Sequence, residues 1–292
     1  MTRTSFAPLF ASFSLILTAL CVPAAASHFT TIEVSGAPDT YALGINVQGD
    51  IVGWYYDATF NAHGFLLSDG DYSTIDVPGS TSTTLFGINP KREIVGTYVD
   101  SSSKEHGFLL SEGEFSTIEV PGAFNTLPFG INSEGHIVGA YDMNAVDSNG
   151  FLLSDGVFRT INAPPPGSVF TVPEKINPND EIVGGYSGVN YPNHGFLRHK
   201  GAFKTIDAPK AGTFGTWASG INSRGDIVGF QDYTTAAFVF HGFLFSKGKF
   251  TRIDVPGASS TQPRDINACG NIVGSYCVST PTFACYGFLL RR

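Results

Sequence analysis

The sequence has little charge, and most of that charge is negative. Only 14% of its 292 residues are Asp, Glu, Lys or Arg, and the formal net charge is −8. A nucleic-acid-binding face needs clustered lysines and arginines, so we expect no nucleic acid among the partners. The sequence also lacks a GxSxG elbow, an HExxH pair, a P-loop and a dinucleotide-binding glycine fingerprint, which removes the best-marked enzyme classes.

Long apolar runs are absent after the first residues of the chain. Residues 1–26 hold Arg3, then an apolar stretch, then the small residues Ala24 to Ala26, which together are typical of a secretory signal peptide. The alternative is a membrane anchor, but the apolar run is short for a bilayer. We therefore predict a signal peptide over 1–26, a single domain over 27–292 without a membrane span, and a secreted or periplasmic location.

Cysteine is scarce, with four residues in all. Cys21 lies in the predicted signal peptide, and Cys277 and Cys285 flank a short insert near the end of the chain. In an exported protein this spacing favours a disulfide that closes a loop. Cys269 would then be unpaired. A zinc site is the alternative, but no CxxC spacing or nearby histidine supports it, so no metal is predicted there.

Glycine and phenylalanine, in contrast, are abundant, and they recur at a fixed interval. The segment "HGFLLSDGDYSTIDVPG" at 63–79 returns as "HGFLLSEGEFSTIEVPG" at 106–122. The glycine of the HGF-like triplet occurs six times, with spacings of 43, 43, 45, 47 and 45 residues, at Gly64, Gly107, Gly150, Gly195, Gly242 and Gly287. A second marker, "GIN…IVG", has the same period, which matches that of a four-stranded propeller blade.

One repeat contains four short apolar segments separated by tight turns. They are Thr83–Asn89, Glu93–Val99, His106–Ser111 and Phe115–Val120. Strands joined by turns this short pair antiparallel, so each repeat should be a four-stranded antiparallel meander, with strands that we call a, b, c and d.

The two ends of the chain complement each other. His28–Val34 resembles strand d without a preceding repeat, and Tyr286–Arg292 resembles strand c without a following strand d. We therefore predict an all-β, six-bladed β-propeller that is closed by the N-terminal strand, which completes the last blade and removes an unpaired edge. The alternative is an open solenoid of hairpin units.

The repeated "GINxxGxIVGxYxD…HGFL" and "TIDVPGA" resemble the extracellular HAF repeats of bacterial proteins. The likeness extends over essentially all of residues 27–292, and the layout is similar to that of kelch-type propellers, although the kelch double glycine is missing. The resemblance implies an exported repeat protein. It implies no catalytic residue, cofactor or ligand.

Differences among the repeats indicate where a ligand could bind. The a–b and c–d turns are alike from copy to copy, whereas the b–c and d–a loops vary and should share one face, which is where repeat proteins commonly bind. Aspartates begin four of these loops, with Trp217 and Trp54 nearby: Asp57, Asp100, Asp142 and Asp232. Carboxylates with aromatics suit a sugar, a calcium ion or paired-carboxylate hydrolysis, and the alternative is an ordinary acidic rim.

Two repeats also differ on strand a, which should be innermost. Four copies have an apolar or small residue followed by glycine before "IN", but the fourth has Glu174-Lys175 and the sixth has Arg264-Asp265. Because strand side chains alternate, one member of each pair should face the central channel. Such charges are costly unless they are paired or used, and the alternative is a structural pair of Lys175 with Asp265.

Two further positions recur in most repeats, the histidine of HGF and the acid of "TIDV" or "TIEV". We expect both to be scaffold, with the histidine bonded to a neighbouring loop. The leading prediction for function is a monomeric, exported binding module for a glycan or an extracellular protein, with no cofactor other than a possible calcium ion. The alternative is a polysaccharide hydrolase or lyase that uses carboxylates at the axis and the loop face.

Overall fold

The structure is a computed structural model, and it describes residues 27–143, 148–163, 168–188, 192–232, 239–279 and 283–292. The predicted signal peptide lies outside these residues. The regular elements of the described residues are all strands, so the prediction of an all-β fold is confirmed, and no described helix could cross a membrane. In chain order the strands are β1 (His28–Ile32), β2 (Thr40–Ile45), β3 (Ile51–Tyr56), β4 (Ala62–Ser68), β5 (Asp71–Ile75), β6 (Ser82–Ile88), β7 (Ile94–Val99), β8 (Glu105–Ser111), β9 (Glu114–Ile118), β10 (Asn125–Ile131), β11 (Ile137–Asp142), β12 (Ser148–Ser154), β13 (Val157–Ile161), β14 (Ser168–Ile176), β15 (Ile182–Gly188), β16 (His194–His199), β17 (Ala202–Ile206), β18 (Thr216–Ile221), β19 (Ile227–Asp232), β20 (Phe240–Ser246), β21 (Lys249–Ile253), β22 (Ser260–Ile266), β23 (Ile272–Val278) and β24 (Ala284–Arg291).

Consecutive strands form four-stranded antiparallel meanders, as predicted from the repeat. Four separate sheets have the strand orders β2-β3-β4-β5, β6-β7-β8-β9, β18-β19-β20-β21 and β1-β24-β23-β22. The meanders β10 to β13 and β14 to β17 belong to one eight-stranded sheet, because a single parallel bridge joins Ser148 to Phe170. Neighbouring meanders are thus linked along the backbone in few places, and side chains hold most of their interfaces.

The c–d turns explain why Gly follows Asp, Glu or Lys in most copies of the repeat. Both central residues have positive φ, as in Asp69-Gly70 and Glu112-Gly113. Two positive φ values are the requirement of a type I′ turn, whose twist matches that of the flanking strands. The second position therefore favours glycine, and each hairpin register is set locally.

The first and last strands of the described chain pair with each other. β1 lies antiparallel to β24, with His28 opposite Arg291 and Ile32 opposite Gly287. β1 is therefore the outer strand of the sheet formed by the end of the chain. Its Ile32 is buried in a cluster with Ala42 and Phe65 of the β2–β5 sheet, so the N-terminal strand also contributes to the interface with the next sheet.

The hydrophobic core lies between neighbouring sheets. Each cluster combines two of them: Val52 of β3 packs with Leu85, Ile94 and Phe108 of the following sheet. The phenylalanines of the HGF-like triplet are at most 2% exposed, at Phe65, Phe108, Phe151, Phe196, Phe243 and Phe288. The recurring triplet therefore buries one phenylalanine ring at each interface between sheets.

Strand a of every repeat contains a β-bulge. The bulge lies opposite the glycine of the "IVG" motif on strand b. The register shifts between Leu85 and Gly87 of β6, and equivalent shifts occur in β2, β10, β14, β18 and β22. Beside the bulge of β10, a Cβ added to Gly139 would lie 2.1 Å from the carbonyl oxygen of Leu127. Only glycine allows strand b to approach this closely, which accounts for the invariance of that position among the repeats.

Six asparagines of the "IN" motifs form a continuous chain of hydrogen bonds that we call the asparagine circuit. The Nδ2 of each donates to the backbone carbonyl of the next, at 3.0 to 3.4 Å, in the order Asn46, Asn89, Asn132, Asn177, Asn222 and Asn267. Asn267 then donates to the carbonyl of Asn46 at 3.0 Å, so the circuit returns to its start. The Oδ1 atoms accept from backbone N–H groups of the a–b turns, as Asn132 does from Glu134 and His136.

Candidate functional site

The loop face carries a cavity of about 320 Å³ at the inner strands β14, β18 and β22. It is lined by aromatic residues around one acid, one base and one amide: Phe170, Glu174, Asn193, Phe214, Trp217, Phe230 and Arg264. Three residues predicted from the sequence, Glu174, Trp217 and Arg264, therefore meet in one place although they come from three different repeats. We call this space the tryptophan cavity.

Direct contacts fix the polar groups of the tryptophan cavity. The indole Nε1 of Trp217 donates to Glu174 Oε1 at 2.9 Å. The Arg264 guanidinium lies over the ring of Phe230, with its Cζ 5.0 Å from the centroid, and its Nη2 donates to Gln262 Oε1 at 2.6 Å. These contacts hold the indole, the carboxylate and the guanidinium in defined orientations.

The electrostatics of the cavity keep a positive charge beside a negative one. Burial lowers the pKa of Arg264, and the charge of Glu174 opposes that shift. The pKa of an arginine starts so high that the guanidinium stays charged. Arg264 Nε and Asn193 Oδ1 are both buried and have no hydrogen-bond partner among the described residues. A donor and an acceptor are thus unsatisfied in two residues that line one cavity.

The opposite end of the inner strands holds a smaller cavity of about 140 Å³. Residues from β2, β6, β10, β14, β18 and β22 contribute to its lining, together with the asparagine circuit. Lys175 and Asp265 also line it, and they are 7% and 8% exposed. Both residues that replace glycine on strand a therefore reach the same space.

Lys175 and Asp265 are bonded to backbone groups. Lys175 Nζ donates to the carbonyls of Phe86 and Phe129 at 2.6 and 3.0 Å, and Asp265 accepts from the N–H groups of Ile45 and Ile266 at 3.1 and 2.8 Å. Burial lowers the pKa of Lys175 and raises that of Asp265 to about 6, while each charge favours ionisation of the other. Within the described residues no direct ion pair joins them.

The two members of each strand a pair line different cavities, and one member of each pair reaches the space shared by the six strands. Glu174 and Arg264 line the tryptophan cavity, whereas Lys175 and Asp265 line the cavity at the asparagine circuit. The reason is the bulge, because Glu174 and Arg264 are the residues skipped by the register of β14 and β22. The alternation of side chains along the strand is interrupted at such a residue. The two members of each pair therefore line cavities at opposite ends of the strand.

Two of the predicted loop aspartates are engaged within their own loops. Asp57 Oδ1 accepts from the N–H groups of Thr59 and Asn61 at 2.8 and 2.9 Å. Asp100 makes the same pattern with Ser102 and Lys104. Hydrogen bonds lower the pKa of both carboxyls, led by the backbone N–H of Asn61 for Asp57 and by the hydroxyl of Ser102 for Asp100. Neither aspartate lines the tryptophan cavity.

The other two loop aspartates differ in burial and in the groups that they bond. Asp232 is buried, and its carboxylate accepts from the N–H groups of Phe214 and Gly215 at 2.9 and 3.1 Å. It thereby positions Phe214 in the wall of the tryptophan cavity. Asp142 is half-buried and accepts from the side chain of Asn125 at 3.4 Å. The four aspartates thus occupy separate loops and do not form one acidic site.

The recurring histidine and the recurring acid form one motif. His63 Nδ1 lies 2.7 Å from Asp76, and His106 Nδ1 lies 2.7 Å from Glu119. The corresponding bonds in two other repeats join His194 to Asp207 and His241 to Asp254. The sequence contains the signal, since the two residues are 13 positions apart each time. The histidine therefore bonds chiefly to the strand d turn of its own repeat, and not only to a neighbouring loop.

Cysteine chemistry differs from the expectation at one position. Cys277 and Cys285 are bonded to each other where they lie opposite in the register of β23 and β24. Cys269 is also disulfide-bonded, and no described cysteine is free. The expectation of an unpaired Cys269 is therefore wrong, because it rested on the spacing of the last two cysteines alone. The described residues contain no group of three or more His, Cys, Asp or Glu placed to hold a metal ion.

No protein-family model and no curated sequence matches the chain. Its fold resembles that of solved structures. TolB from Acinetobacter baumannii is 12% identical, with a TM-score of 0.59 over 89% of this chain and 65% of that one. AofleA from Arthrobotrys oligospora is 12% identical, with 0.55 over 94% and 90%. The SapL1 lectin, solved with alpha methyl fucoside, is 9% identical, with 0.54 over 88% and 93%. These likenesses establish a fold shared with lectin and propeller-like proteins.

Proposed function

We propose that this protein is an exported six-bladed β-propeller that binds carbohydrate in the tryptophan cavity. The blade count and the closure are supported by the pairing of β1 with β24 and by the asparagine circuit, which runs through six inner strands and returns to Asn46. Export is inferred from the predicted signal peptide, and membership of the HAF-repeat proteins from the repeated motifs. We expect a monomer.

The observation that carries the proposal is the bond between the Trp217 indole and the Glu174 carboxylate inside an aromatic wall. A sugar presents apolar C–H faces and polar hydroxyl edges. Aromatic rings bind the former, while a carboxylate, a guanidinium and an amide bind the latter. Glu174 is held by the indole through one oxygen, so its other oxygen can accept from a hydroxyl. Arg264 supplies donors in the lining of the same cavity.

The fold of the SapL1 lectin, which was solved with alpha methyl fucoside, is consistent with a carbohydrate ligand. The arrangement of carboxylates favours binding over hydrolysis. Paired-carboxylate hydrolysis requires two carboxyl groups that flank one bond, whereas Glu174 and Asp265 line different cavities. We therefore retain binding as the function.

The test is a glycan array printed with plant, microbial and animal oligosaccharides, followed by isothermal titration calorimetry with array hits and with methyl α-L-fucoside. We expect wild-type binding and a loss of at least tenfold in affinity for Trp217→Ala and for Glu174→Gln. Phe124→Ala is the matched control, because Phe124 is an exposed aromatic (68% exposed) that does not line the cavity. A wild-type protein that binds no glycan, or full binding by Trp217→Ala, would refute the proposal. Release of reducing sugar would support the hydrolase instead.

A further inference from the structure

A second cavity on the loop face lies beside the tryptophan cavity. It measures about 500 Å³ and is lined by residues of β22, β23 and their neighbours: Tyr41, Val239, Phe240, Ser259, Ser260, Gln262, Arg264, Ser275, Cys277, Ser279, Phe283 and Cys285. We call it the serine cavity. Both cavities fall within the range of about 300–1,000 Å³ that is common for ligand pockets.

Arg264 belongs to the lining of both cavities. Its guanidinium lies on Phe230, which lines the tryptophan cavity, and donates to Gln262, which lines the serine cavity. Phe230 in turn packs edge-on against Phe240 of the serine cavity, with 5.2 Å between ring centroids. One charged side chain therefore stands between the two spaces, and it has donors for a ligand that crosses from one to the other.

The polar groups that line the serine cavity are suited to bind a hydroxyl-rich ligand. Four serines and Gln262 offer neutral donors and acceptors. Ser260 Oγ accepts from the N–H of Phe240 at 3.2 Å, which leaves its own hydrogen free to be donated. Among the described residues of its lining, only Arg264 carries a formal charge at neutral pH. This composition suits an uncharged polyhydroxyl group better than a phosphate or a carboxylate.

The disulfide-bonded cysteines form part of the lining of the serine cavity. Cys277 and Cys285 both line it, and Phe283, two residues before Cys285, is 72% exposed. An aromatic ring so exposed next to a cross-linked strand pair is an available stacking surface. The Tyr41 side chain lies on another part of the lining, stacked on Trp54 with 4.3 Å between ring centroids.

From these observations we infer that the serine cavity is a second saccharide subsite, so that the ligand is an oligosaccharide of at least two units that passes over Arg264. The inference rests on carbohydrate binding at the tryptophan cavity. One sugar unit would occupy the tryptophan cavity, and the adjoining unit would lie against Phe283 and the serines.

The experiment is calorimetric titration with cello-, xylo-, manno- and chito-oligosaccharide series of one to four units, together with the matching series of any array hit. We expect the affinity of the preferred series to rise at least tenfold from one unit to two. Phe283→Ala and the double variant Cys277→Ser/Cys285→Ser should remove most of that gain while leaving the affinity for the single unit unchanged. Phe124→Ala, the exposed control, should retain the whole gain. Circular dichroism and urea unfolding verify that each variant is folded.

The outcomes separate the two proposals. Wild-type affinity that does not change with chain length, or a gain that Phe283→Ala and the cysteine variant both retain, would overturn the second subsite while leaving single-unit binding intact. Absence of binding to every series and to the array would instead refute carbohydrate binding itself. A gain in affinity that Trp217→Ala abolishes but that both serine-cavity variants retain would place the second unit elsewhere. That result would also overturn the inference.

Discussion

Asn267 offers the sharpest test of ring closure, because its side chain joins the end of the repeat array to its beginning. Its Nδ2 donates to the carbonyl of Asn46, and its Oδ1 accepts from the N–H groups of Cys269 and Asn271 at 3.0 and 3.1 Å. Asn267→Asp keeps both acceptor contacts and replaces the donor with a carboxylate oxygen that carries negative charge. Asn267→Ala removes all three bonds.

The structure sets the expected losses of stability. Asn46 is buried, at 3% exposure. Its carbonyl also accepts from the N–H of Gly49 at 3.2 Å, so loss of the Asn267 donor removes one of two hydrogen bonds, which is worth about 0.5–1.5 kcal/mol. We therefore expect Asn267→Asp to lower the free energy of unfolding by at least about 1 kcal/mol. Asn267→Ala also leaves two turn N–H groups unpaired, so its loss should reach roughly 3–5 kcal/mol.

Urea unfolding followed by tryptophan fluorescence measures both values. The interior control is Asn132→Ala, since Asn132 makes the same turn contacts and bridges to Asn177. In a closed ring the two alanine variants should be destabilised to a similar extent. If Asn267→Asp unfolds within about 0.5 kcal/mol of wild type, the usual range of neutral surface changes, then the bond to Asn46 does not hold the ends together and the closure is refuted.

Three other perturbations have defined outcomes. Removing the bond between Cys277 and Cys285 in the double variant Cys277→Ser/Cys285→Ser should lower stability by roughly 2–3 kcal/mol in the chain-entropy estimate for a loop of this length, and equal unfolding midpoints of the variant and the wild type would contradict it. The pKa of His63 is raised in the folded state, first by its bond to a carboxylate, so its stabilisation should be complete below about pH 6.5 and should disappear as the pH rises through the folded pKa. A stability difference from His63→Gln that grows with pH would oppose this. The pKa of Asp265 is raised to about 6 by burial, so stability should fall by about 3 kcal/mol between roughly pH 4 and pH 7, and Asp265→Asn should flatten that fall. A wild-type profile that rises across this range, after subtraction of the Asp265→Asn profile, would refute it.

The strands were accessible from the sequence because each repeat carries its own turn chemistry. The segment predicted as Thr83–Asn89 corresponds to β6 at Ser82–Ile88, and the segment predicted as Phe115–Val120 corresponds to β9 at Glu114–Ile118. Local signals determine such elements: glycine at positive φ in the turns and period-2 patterns of apolar residues.

The binding cavity was only partly accessible, because its residues come together through packing between repeats. Trp217 and Glu174 are 43 positions apart, and no local pattern connects them. Unusual charges on strand a identified Glu174 and Arg264, but the surrounding rings of Phe170, Phe214 and Phe230 carry no mark that distinguishes them from core phenylalanines. The bulge that separates Glu174 from Lys175 also has no clear sequence signature apart from the glycine on strand b.

Two of the loop aspartates carry a local signal of a scaffold role in the residues that follow them. Asp57 precedes Thr59 by two positions and His63 by six, and the spacing of Asp100 to Ser102 and His106 is the same. An aspartate followed two residues later by a hydroxyl residue indicates a turn that the carboxylate itself closes. That repeated spacing is sufficient to assign both aspartates to the scaffold, whereas the bracing role of Asp232 depends on a contact with a distant loop.

The asparagine circuit has a consequence for how such an array can grow. Each link runs from a side chain of one unit to the main chain of the next, so the receiving residue can be of any type as far as this bond is concerned. A duplicated unit brings its own asparagine and finds a suitable carbonyl wherever it is inserted, and the same bond can re-form after a unit is deleted. Selection could therefore alter the loops of each copy independently, because the joints between copies depend on backbone geometry and a single amide.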